Sequence, residues 1–320
     1  MPIEPAGIET SVVDSGSLLQ SVIDEIIQLP TNVPSLFMDL EGIQLGRHGS
    51  LSIMSLYLAP KKRVYLIDIH KLGTEAISTV NSKGKSLKFI LESSVILKVL
   101  FDVRHDSDAL FSHYGIALDG IRDIQLMEIG TRKGPKDFLA GLSKCVEKDS
   151  TISAAEKQAW ELTKSTTRRL FDPAFGGRYD IFNERPIQPM IVKYCAGDVT
   201  LLPDLFNAYN AKLCQPGNKF WELHVLEATQ ERIKLSQSPS FDGTSNTNAR
   251  GTWDKESLEE ALNQWNDDIL DNAFEDDILD EMLWADVFDG PEEFDDWEDD
   301  GPTSCRDIIN NCDYDYYYSD

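Results

Sequence analysis

Three apolar runs of strand length follow one another between residues 36 and 69, with only short turns between them. The runs extend from Leu36 to Ile43, from Ser50 to Ala59 and from Arg63 to Ile69. Glycines mark the first turn, and Pro60 marks the second. Adjacent strands joined by short turns pair in the antiparallel direction, so the sequence predicts a three-stranded antiparallel meander.

The remaining predicted elements alternate at first and then become helical. Strands are predicted at Ile96 to Val103 and at Ile121 to Met127, on either side of a helix from Asp106 to Tyr114. The other predicted helices are Ser17 to Leu29, Leu87 to Glu92, Lys136 to Val146, Ala154 to Thr163, Pro189 to Leu213 and Lys219 to Leu235. A meander followed by a β-α-β unit and then by helices describes an α/β domain whose mixed sheet resembles that of RNase H.

Composition divides the chain into four parts. Residues 1–30 are predicted to form a helical lead-in, and residues 31–235 form the α/β domain. Residues 236–252 are polar and rich in turn-forming residues, which predicts a linker. Residues 253–320 form an acidic tail, which we expect to be largely disordered and in part an amphipathic helix.

The net charge of −25 is unusual for a protein that binds nucleic acid, but most of it lies near the C-terminus. Residues 241–320 contain 26 of the 55 acidic residues and three of the 30 basic ones. The rest of the chain is nearly neutral, which is compatible with a local basic groove. We interpret the tail as a solvated segment; the alternatives are docking on a basic protein partner and shielding of the chain's own groove.

The cysteines and the distribution of apolar residues indicate the cellular compartment in which the protein is expected. The five cysteines include no C-x-x-C pair and are odd in number, which argues against a disulfide framework and a zinc finger. The N-terminus lacks the features of a signal peptide, and no apolar run reaches the roughly 18 residues of a membrane span. We therefore expect reduced thiols in a soluble intracellular protein of the nucleus or cytoplasm, with no membrane partner.

Asp39 and Glu41 interrupt the first strand run and are two residues apart, so they point to the same face of a strand. Two adjacent carboxylates in an apolar strand repel each other unless a cation or hydrogen bonds hold them. Such a pair suits hard cations such as Mg²⁺ or Mn²⁺, which prefer oxygen ligands. The alternative is a strand end with two exposed carboxylates.

Two further acidic positions are candidates for the same chemistry. Asp106 lies near the start of a helix after a buried strand, where an aspartate also caps the backbone, and Asp102 and Asp108 compete with it. Tyr194 and Asp198 are four residues apart in a predicted helix and share one face. The alternative there is an amphipathic helix whose tyrosine packs in the core and whose aspartate is solvated.

The order D-x-E, D and Y-x-x-x-D resembles the DEDD exonuclease superfamily. The segments KVLFDVRHDSDALFSHYGI and RPIQPMIVKYCAGDVTLLPDLF resemble its RNase D-like branch, and the similarity extends from about Ser35 to Tyr209. Lys193 stands where another branch of the superfamily has a histidine, so the chain is identified as a member of the tyrosine branch. It is most similar to exonuclease-domain proteins related to Egalitarian.

The resemblance implies a 3′–5′ exonuclease that uses two divalent cations, Mg²⁺ or Mn²⁺, and releases nucleoside 5′-monophosphates. It assigns the metal ligands to Asp39, Glu41, Asp106 and Asp198, and the positioning of the attacking water to Tyr194. The implied partner is the 3′ end of RNA or single-stranded DNA. Basic side chains that we predict to contact this substrate are His105, Arg168, Arg169 and Arg178, although local structure and solvation also explain them.

Two other functions compete with the nuclease. The first is a non-catalytic RNA-binding adaptor of the Egalitarian type, whose acidic tail docks on a partner. The second is a scaffold in which the tail is the working part. Substituted carboxylates would favour the adaptor, but all four motif positions keep their acids.

Overall fold

The computed structural model describes residues 7–31, 33–253 and 256–267. The chain divides into two units, residues 1–263 and 264–320, and nearly all described residues belong to the first unit. Within the described residues, no helix is both long enough and apolar enough to cross a membrane. The cysteines in this part of the chain, Cys145, Cys195 and Cys214, are free thiols.

Between residues 7 and 253, the described residues form six strands and ten α-helices. The strands are β1 (Glu9–Val13), β2 (Leu36–Glu41), β3 (Ile53–Leu58), β4 (Arg63–Asp68), β5 (Lys98–Leu100) and β6 (Ile121–Asp123). The helices are α1 (Gly16–Ile27), α2 (Ile69–Leu72), α3 (Glu75–Ser78), α4 (Leu87–Leu91), α5 (Arg104–Tyr114), α6 (Ile124–Thr131), α7 (Leu142–Asp149), α8 (Ala154–Phe171), α9 (Pro189–Leu213) and α10 (Lys219–Gln237).

One mixed sheet with the order β1-β4-β3-β2-β5-β6 forms the centre of the fold. Strands β2, β3 and β4 pair in the antiparallel direction, which confirms the predicted meander. The pairs β1–β4, β2–β5 and β5–β6 are parallel. Helices flank this sheet, and the predicted α/β class is confirmed. Strand β2 lies in the interior of the sheet with a neighbour on each side.

The pleat of β2 determines where its two carboxylates point. Leu36, Met38 and Leu40 belong to one hydrophobic core, which also contains the buried residues of α1. Phe37 belongs to a second core on the other face of the sheet, built largely by α6 and α9. Because successive strand residues point to opposite faces, Asp39 and Glu41 emerge on the face that α9 covers.

The turn between β2 and β3 depends on glycines that immediately follow Glu41 and precede Ser50. A Cβ atom at Gly42 would lie 1.9 Å from the Ser50 carbonyl oxygen, and one at Gly49 would lie 2.1 Å from the Ile43 carbonyl oxygen. Neither contact is sterically possible for a larger residue without moving the backbone. The glycines that predicted a turn here therefore also allow its tight closure.

Several elements differ from the sequence prediction, including α8, which extends to Phe171 instead of ending at Thr163. Strand β1 was assigned to a helical lead-in, but it pairs with β4 at the edge of the sheet. The predicted strand from Ile121 to Met127 is wrong beyond Asp123, because the Asp123 side chain accepts a hydrogen bond from the Gln125 N–H and caps α6. The predicted helix from Lys136 to Val146 begins only at Leu142.

Residues 238–253, which we call the C-terminal strap, include most of the predicted linker. They are bound to the domain by backbone hydrogen bonds and by packing. The Leu139 N–H donates to the Ala249 carbonyl, and the Gly251 N–H donates to the Asp137 carbonyl. Phe241 is buried, and Trp253 packs against Trp221 of α10 with ring centroids 5.3 Å apart. Residues 256–267 are helical, while the predictions for residues 268–320 of the tail lie outside the described part of the chain.

Candidate active site

Three of the predicted carboxylates meet where α9 crosses the sheet. Oxygen atoms of Asp39, Glu41 and Asp198 all lie within 4.8 Å of one another. Asp39 and Glu41 come from β2, and Asp198 comes from α9. Asp198 is buried, and the two strand carboxylates are half-buried. The fold therefore brings together acids that are about 160 residues apart in the sequence, as the motifs predicted.

The negative charges of Asp39, Glu41 and Asp198 are only partly balanced by nearby positive charge. Burial, and then the negative charge of Asp198, raise the pKa of Asp39 to about 7, against the opposing effect of the Lys164 ammonium. Burial and the charges of Asp39 and Asp198 also raise the pKa of Glu41 well above its usual range. Neutral carboxyl groups or an added cation are the two ways to relieve this repulsion.

Helix α8 supplies two contacts to Asp198 that the sequence did not reveal. Trp160 Nε1 donates to Asp198 Oδ1 at 3.2 Å, and Lys164 Nζ donates to Asp198 Oδ2 at 2.8 Å. The indole N–H of Trp160 therefore lies in the site. The spacing of four residues places both side chains on one face of α8, yet lysines are frequent on exposed helices and give no distinctive signal.

Asp106 lies beside Asp39, outside the group of three. Burial, then the charges of Asp39 and Asp102, raise the pKa of Asp106 well above its usual range. The backbone N–H of Leu40 opposes these effects and favours the ionised form of both the Asp39 and the Asp106 carboxyls, lowering their pKa. Asp106 Oδ1 is buried and has no hydrogen-bond partner. A buried carboxylate oxygen left without a partner is costly unless a cation completes the site.

The two aspartates that competed with Asp106 are each paired with arginine. Asp102 accepts two hydrogen bonds from Arg104, both of 2.6 Å. Asp108 accepts one from Arg47 Nε at 2.7 Å and one from the Arg47 N–H at 2.8 Å. Since these two acids already have their counter-ions, Asp106 is the member of this segment that has capacity for a metal.

Tyr194 lies next to the carboxylates and stays neutral. Its hydroxyl donates a hydrogen bond to Glu41, and its ring packs 5.4 Å from the ring of Phe171. Burial and the negative charges of Glu41, Asp198 and Asp39 raise the pKa of Tyr194 well above its usual range. The phenol is therefore a hydrogen-bond donor in this site and unsuited to act as a base.

The predicted substrate-binding side chains have partners of their own, or are simply exposed. The ring centroid of His105 lies 6.4 Å from that of Phe241 in the C-terminal strap. Arg168 pairs with Asp172 at 2.8 Å. Arg178 pairs with Glu184. Arg169 is exposed at the end of α8. Their contact with substrate stays a prediction.

The sequence of the chain matches a family of known proteins. The sequence model of a family described as 3′–5′ exonuclease matches residues 18–213, which is more than half of the chain. The chain belongs to the 3′–5′ exonuclease family. The matched segment of the exonuclease domain runs from α1 to the end of α9 and contains every candidate metal ligand.

Curated relatives of the exonuclease domain include the piRNA biogenesis protein EXD1 of two vertebrates. The Xenopus laevis protein is 31% identical over 180 residues, which is 52% of this chain and 35% of that protein. The Mus musculus protein is 40% identical over 89 residues, which is 28% of this chain and 14% of that protein. The chain therefore spans about a third or less of the length of these relatives.

Solved structures of RNase D have the same fold. The Trypanosoma brucei RNase D complex with RNA U12 aligns with a TM-score of 0.61 at 18% identity, covering 80% of this chain and 79% of that chain. Escherichia coli RNase D aligns with a TM-score of 0.50 at 16% identity, covering 72% of this chain and 51% of that chain. The family placement and this likeness confirm the predicted RNase D-like exonuclease fold.

The cluster fits divalent cations on chemical grounds. Its donors are carboxylate oxygens, the ligands that hard cations prefer, and the neighbouring Asp106 Oδ1 is buried without a partner.

We expect the repulsion within the cluster to appear in the pH dependence of stability. Because folding raises the pKa of Asp39 from 3.8 to about 7, the metal-free folded protein binds more protons than the unfolded chain between these values. The contribution of Asp39 to stability is therefore present at low pH and lost as the pH rises through 7.

This dependence is measurable by thermal unfolding in EDTA at pH 5 and pH 8. Other groups titrate as well, including Lys98, whose pKa burial lowers to about 7, so the informative quantity is the difference between wild type and Asp39→Asn. We expect the melting temperature of Asp39→Asn, relative to wild type, to rise by about 2–5 °C from pH 5 to pH 8. An unchanged difference would mean that Asp39 is not desolvated as described.

Proposed function

We propose that the chain is a metal-dependent 3′–5′ exonuclease that hydrolyses nucleic acid from its 3′ end and releases nucleoside 5′-monophosphates. The observation that carries this proposal is the convergence of Asp39, Glu41 and Asp198 within 4.8 Å, with Asp106 beside them. Family membership supports the same activity. No motif position has lost its functional group.

Each residue has a distinct part in the proposal. Asp39, Glu41, Asp106 and Asp198 hold two divalent cations, either Mg²⁺ or Mn²⁺. Cations at such a site activate water and stabilise the leaving oxygen of a phosphodiester. The Tyr194 hydroxyl, held against Glu41 and kept protonated, orients the attacking water by donating or accepting a hydrogen bond.

Replacement of Tyr194 by phenylalanine tests this orienting role. The ring packing against Phe171 is retained, and only the hydroxyl is lost. We expect kcat to fall by about 100-fold, as for loss of one positioned hydrogen bond in an active site, with little change in KM or in Mn²⁺ affinity. Single-turnover assays measure the effect on the chemical step, and Mn²⁺ titrations measure the effect on metal affinity. A loss of metal binding in the phenylalanine variant would show instead that the hydroxyl supports the ligands.

The substrate class is tested with labelled polymers. RNA is the first candidate, because the T. brucei RNase D structure that resembles this chain contains RNA U12 and the curated relatives are named for piRNA biogenesis. Single-stranded RNA and DNA labelled at the 5′ end should shorten stepwise from the 3′ end in Mg²⁺ or Mn²⁺. A 3′-terminal phosphate should slow the reaction, whereas internal cleavage would identify a different nuclease.

RNA binding without turnover is the second candidate, and the Lys164–Asp198 ion pair is the observation that favours it. An ammonium 2.8 Å from Asp198 supplies positive charge where a nuclease needs a metal. Under this alternative the protein binds RNA with the same affinity in EDTA and in Mn²⁺, and no mononucleotide appears. The acidic tail then remains a proposed docking segment for a protein partner.

A further inference from the structure

Two side chains of α8 donate hydrogen bonds to the two carboxylate oxygens of Asp198, one of the proposed metal ligands. Trp160 Nε1 donates to Asp198 Oδ1, and Lys164 Nζ donates to Asp198 Oδ2. Helices α8 and α9 are in close contact here, since a Cβ atom at Gly197 would lie 3.4 Å from Trp160 Cδ1. A neutral indole leaves the second lone pair of Oδ1 available, but the ammonium brings a full positive charge to Oδ2.

On the basis of the proposed function, we propose that Lys164 is a resident counter-ion of Asp198, and that a divalent cation has to displace it. A carboxylate binds Mg²⁺ at about 2.0–2.1 Å. A metal at Asp198 Oδ2 would therefore lie close to the ammonium, and the two positive charges would repel each other strongly in this partly buried site. Lys164 thus raises the concentration of divalent cation that is needed to fill the cluster.

The charge balance of the cluster explains why such a counter-ion is useful. The charge of Lys164 lowers the pKa of both Asp39 and Glu41. In return, although burial opposes it, the charges of Asp198, Asp39 and Glu41 raise the pKa of Lys164. Lys164, 2.8 Å from Asp198, therefore offsets part of the negative charge of the metal-free cluster and helps to hold its side chains together.

The Lys164 side chain can reach solvent when a cation displaces it from Asp198. This side chain is 23% exposed, so the ammonium can move into solvent, away from the Trp160 and Tyr194 rings, whose centroids lie 5.0 and 5.4 Å from it. Burial is deeper for Asp198, at 7% side-chain exposure, and this group stays in position. The contact is thus an exchangeable one, and Lys164 acts as a positioning residue for the cluster.

Mn²⁺ binding to purified full-length variants tests the proposal by isothermal titration calorimetry, without any assay of activity. Lys164→Gln keeps a hydrogen-bond donor near Asp198 but removes the charge, and Lys164→Met removes both. Lys164→Arg keeps the charge. Lys157→Met is the matched control, because Lys157 lies two turns earlier on α8 and donates to the Glu147 carbonyl instead.

We expect Lys164→Gln and Lys164→Met to bind Mn²⁺ at least tenfold more tightly than wild type, with Lys164→Arg and Lys157→Met within threefold of wild type. Mn²⁺ should also raise the melting temperature of Lys164→Gln by more than that of wild type. Equal or weaker Mn²⁺ binding by a folded Lys164→Gln protein would overturn this inference alone. Absence of Mn²⁺ binding in wild type and in every variant would overturn the proposed metal centre and this inference together.

Discussion

Asp39→Asn and Asp198→Asn are expected to lose Mn²⁺-dependent release of mononucleotides by on the order of 1,000-fold or more. Each change keeps the shape of the side chain but replaces an anionic oxygen ligand with a neutral amide. Asp39 and Asp198 lie within 4.8 Å of each other and of Glu41, so either change removes a ligand from a shared site. The measurement is the initial rate of shortening of 5′-labelled single-stranded RNA.

Folding does not confound the Asp39→Asn experiment. Burial, and then the charge of Asp198, raise the pKa of Asp39, so its neutral replacement relieves both effects in the metal-free protein. Glu161→Gln is the matched control, since it removes one carboxylate from an exposed position of α8, one residue after Trp160. Its rate should equal that of wild type. Retention of wild-type rates by both aspartate variants would place the chemistry elsewhere or remove it from this protein.

Among the variants proposed, Asp123→Ala is expected to cause the largest loss of stability, about 3–5 kcal/mol of unfolding free energy, because it removes the nearest counter-ion of the buried Arg232 and leaves buried N–H groups without their acceptor. Asp123 is fully buried and accepts hydrogen bonds from the backbone N–H groups of Asp102 and Val103 at 3.0 and 3.2 Å. It also pairs with Arg232 of α10 at 2.9 Å. One carboxylate thus joins β6, α10 and the turn that leads into α5.

This network also reaches the active site, because the Asp102–Val103 turn directly precedes the helix that carries Asp106. Asp123 is thus a structural anchor that holds a site element in place. Chemical denaturation of Asp123→Ala and of Asp119→Ala, an exposed neighbour, measures the effect. Equal midpoints for the two variants would contradict it.

Local sequence patterns were sufficient for the carboxylates that lie on regular elements. The two-residue period of β2 places Asp39 and Glu41 on one face, and the four-residue spacing in α9 places Tyr194 and Asp198 on another. Only the pairing of β2 with its neighbours and the packing of α9 across the sheet bring these faces together. The family likeness supplied that three-dimensional step, which periodicity alone does not contain.

Other features depended on tertiary partners. Asp102, Asp106 and Asp108 are equivalent in sequence, and they differ because Arg104 and Arg47 pair with the first and the last. Strand β1 exposes most of its residues at the sheet edge, so it has little apolar pattern. The C-terminal strap is polar, as a linker would be, yet its backbone hydrogen bonds fix it to the domain.

Anomalous diffraction from a crystal grown or soaked in Mn²⁺ near pH 7.5 tests the metal centre directly. We expect manganese peaks at coordination distance from the carboxylate oxygens of Asp39, Glu41 and Asp198, with a second peak between Asp39 and Asp106. Well-ordered carboxylates without manganese at saturating concentration, and with Lys164 still on Asp198, would contradict a metal-dependent nuclease.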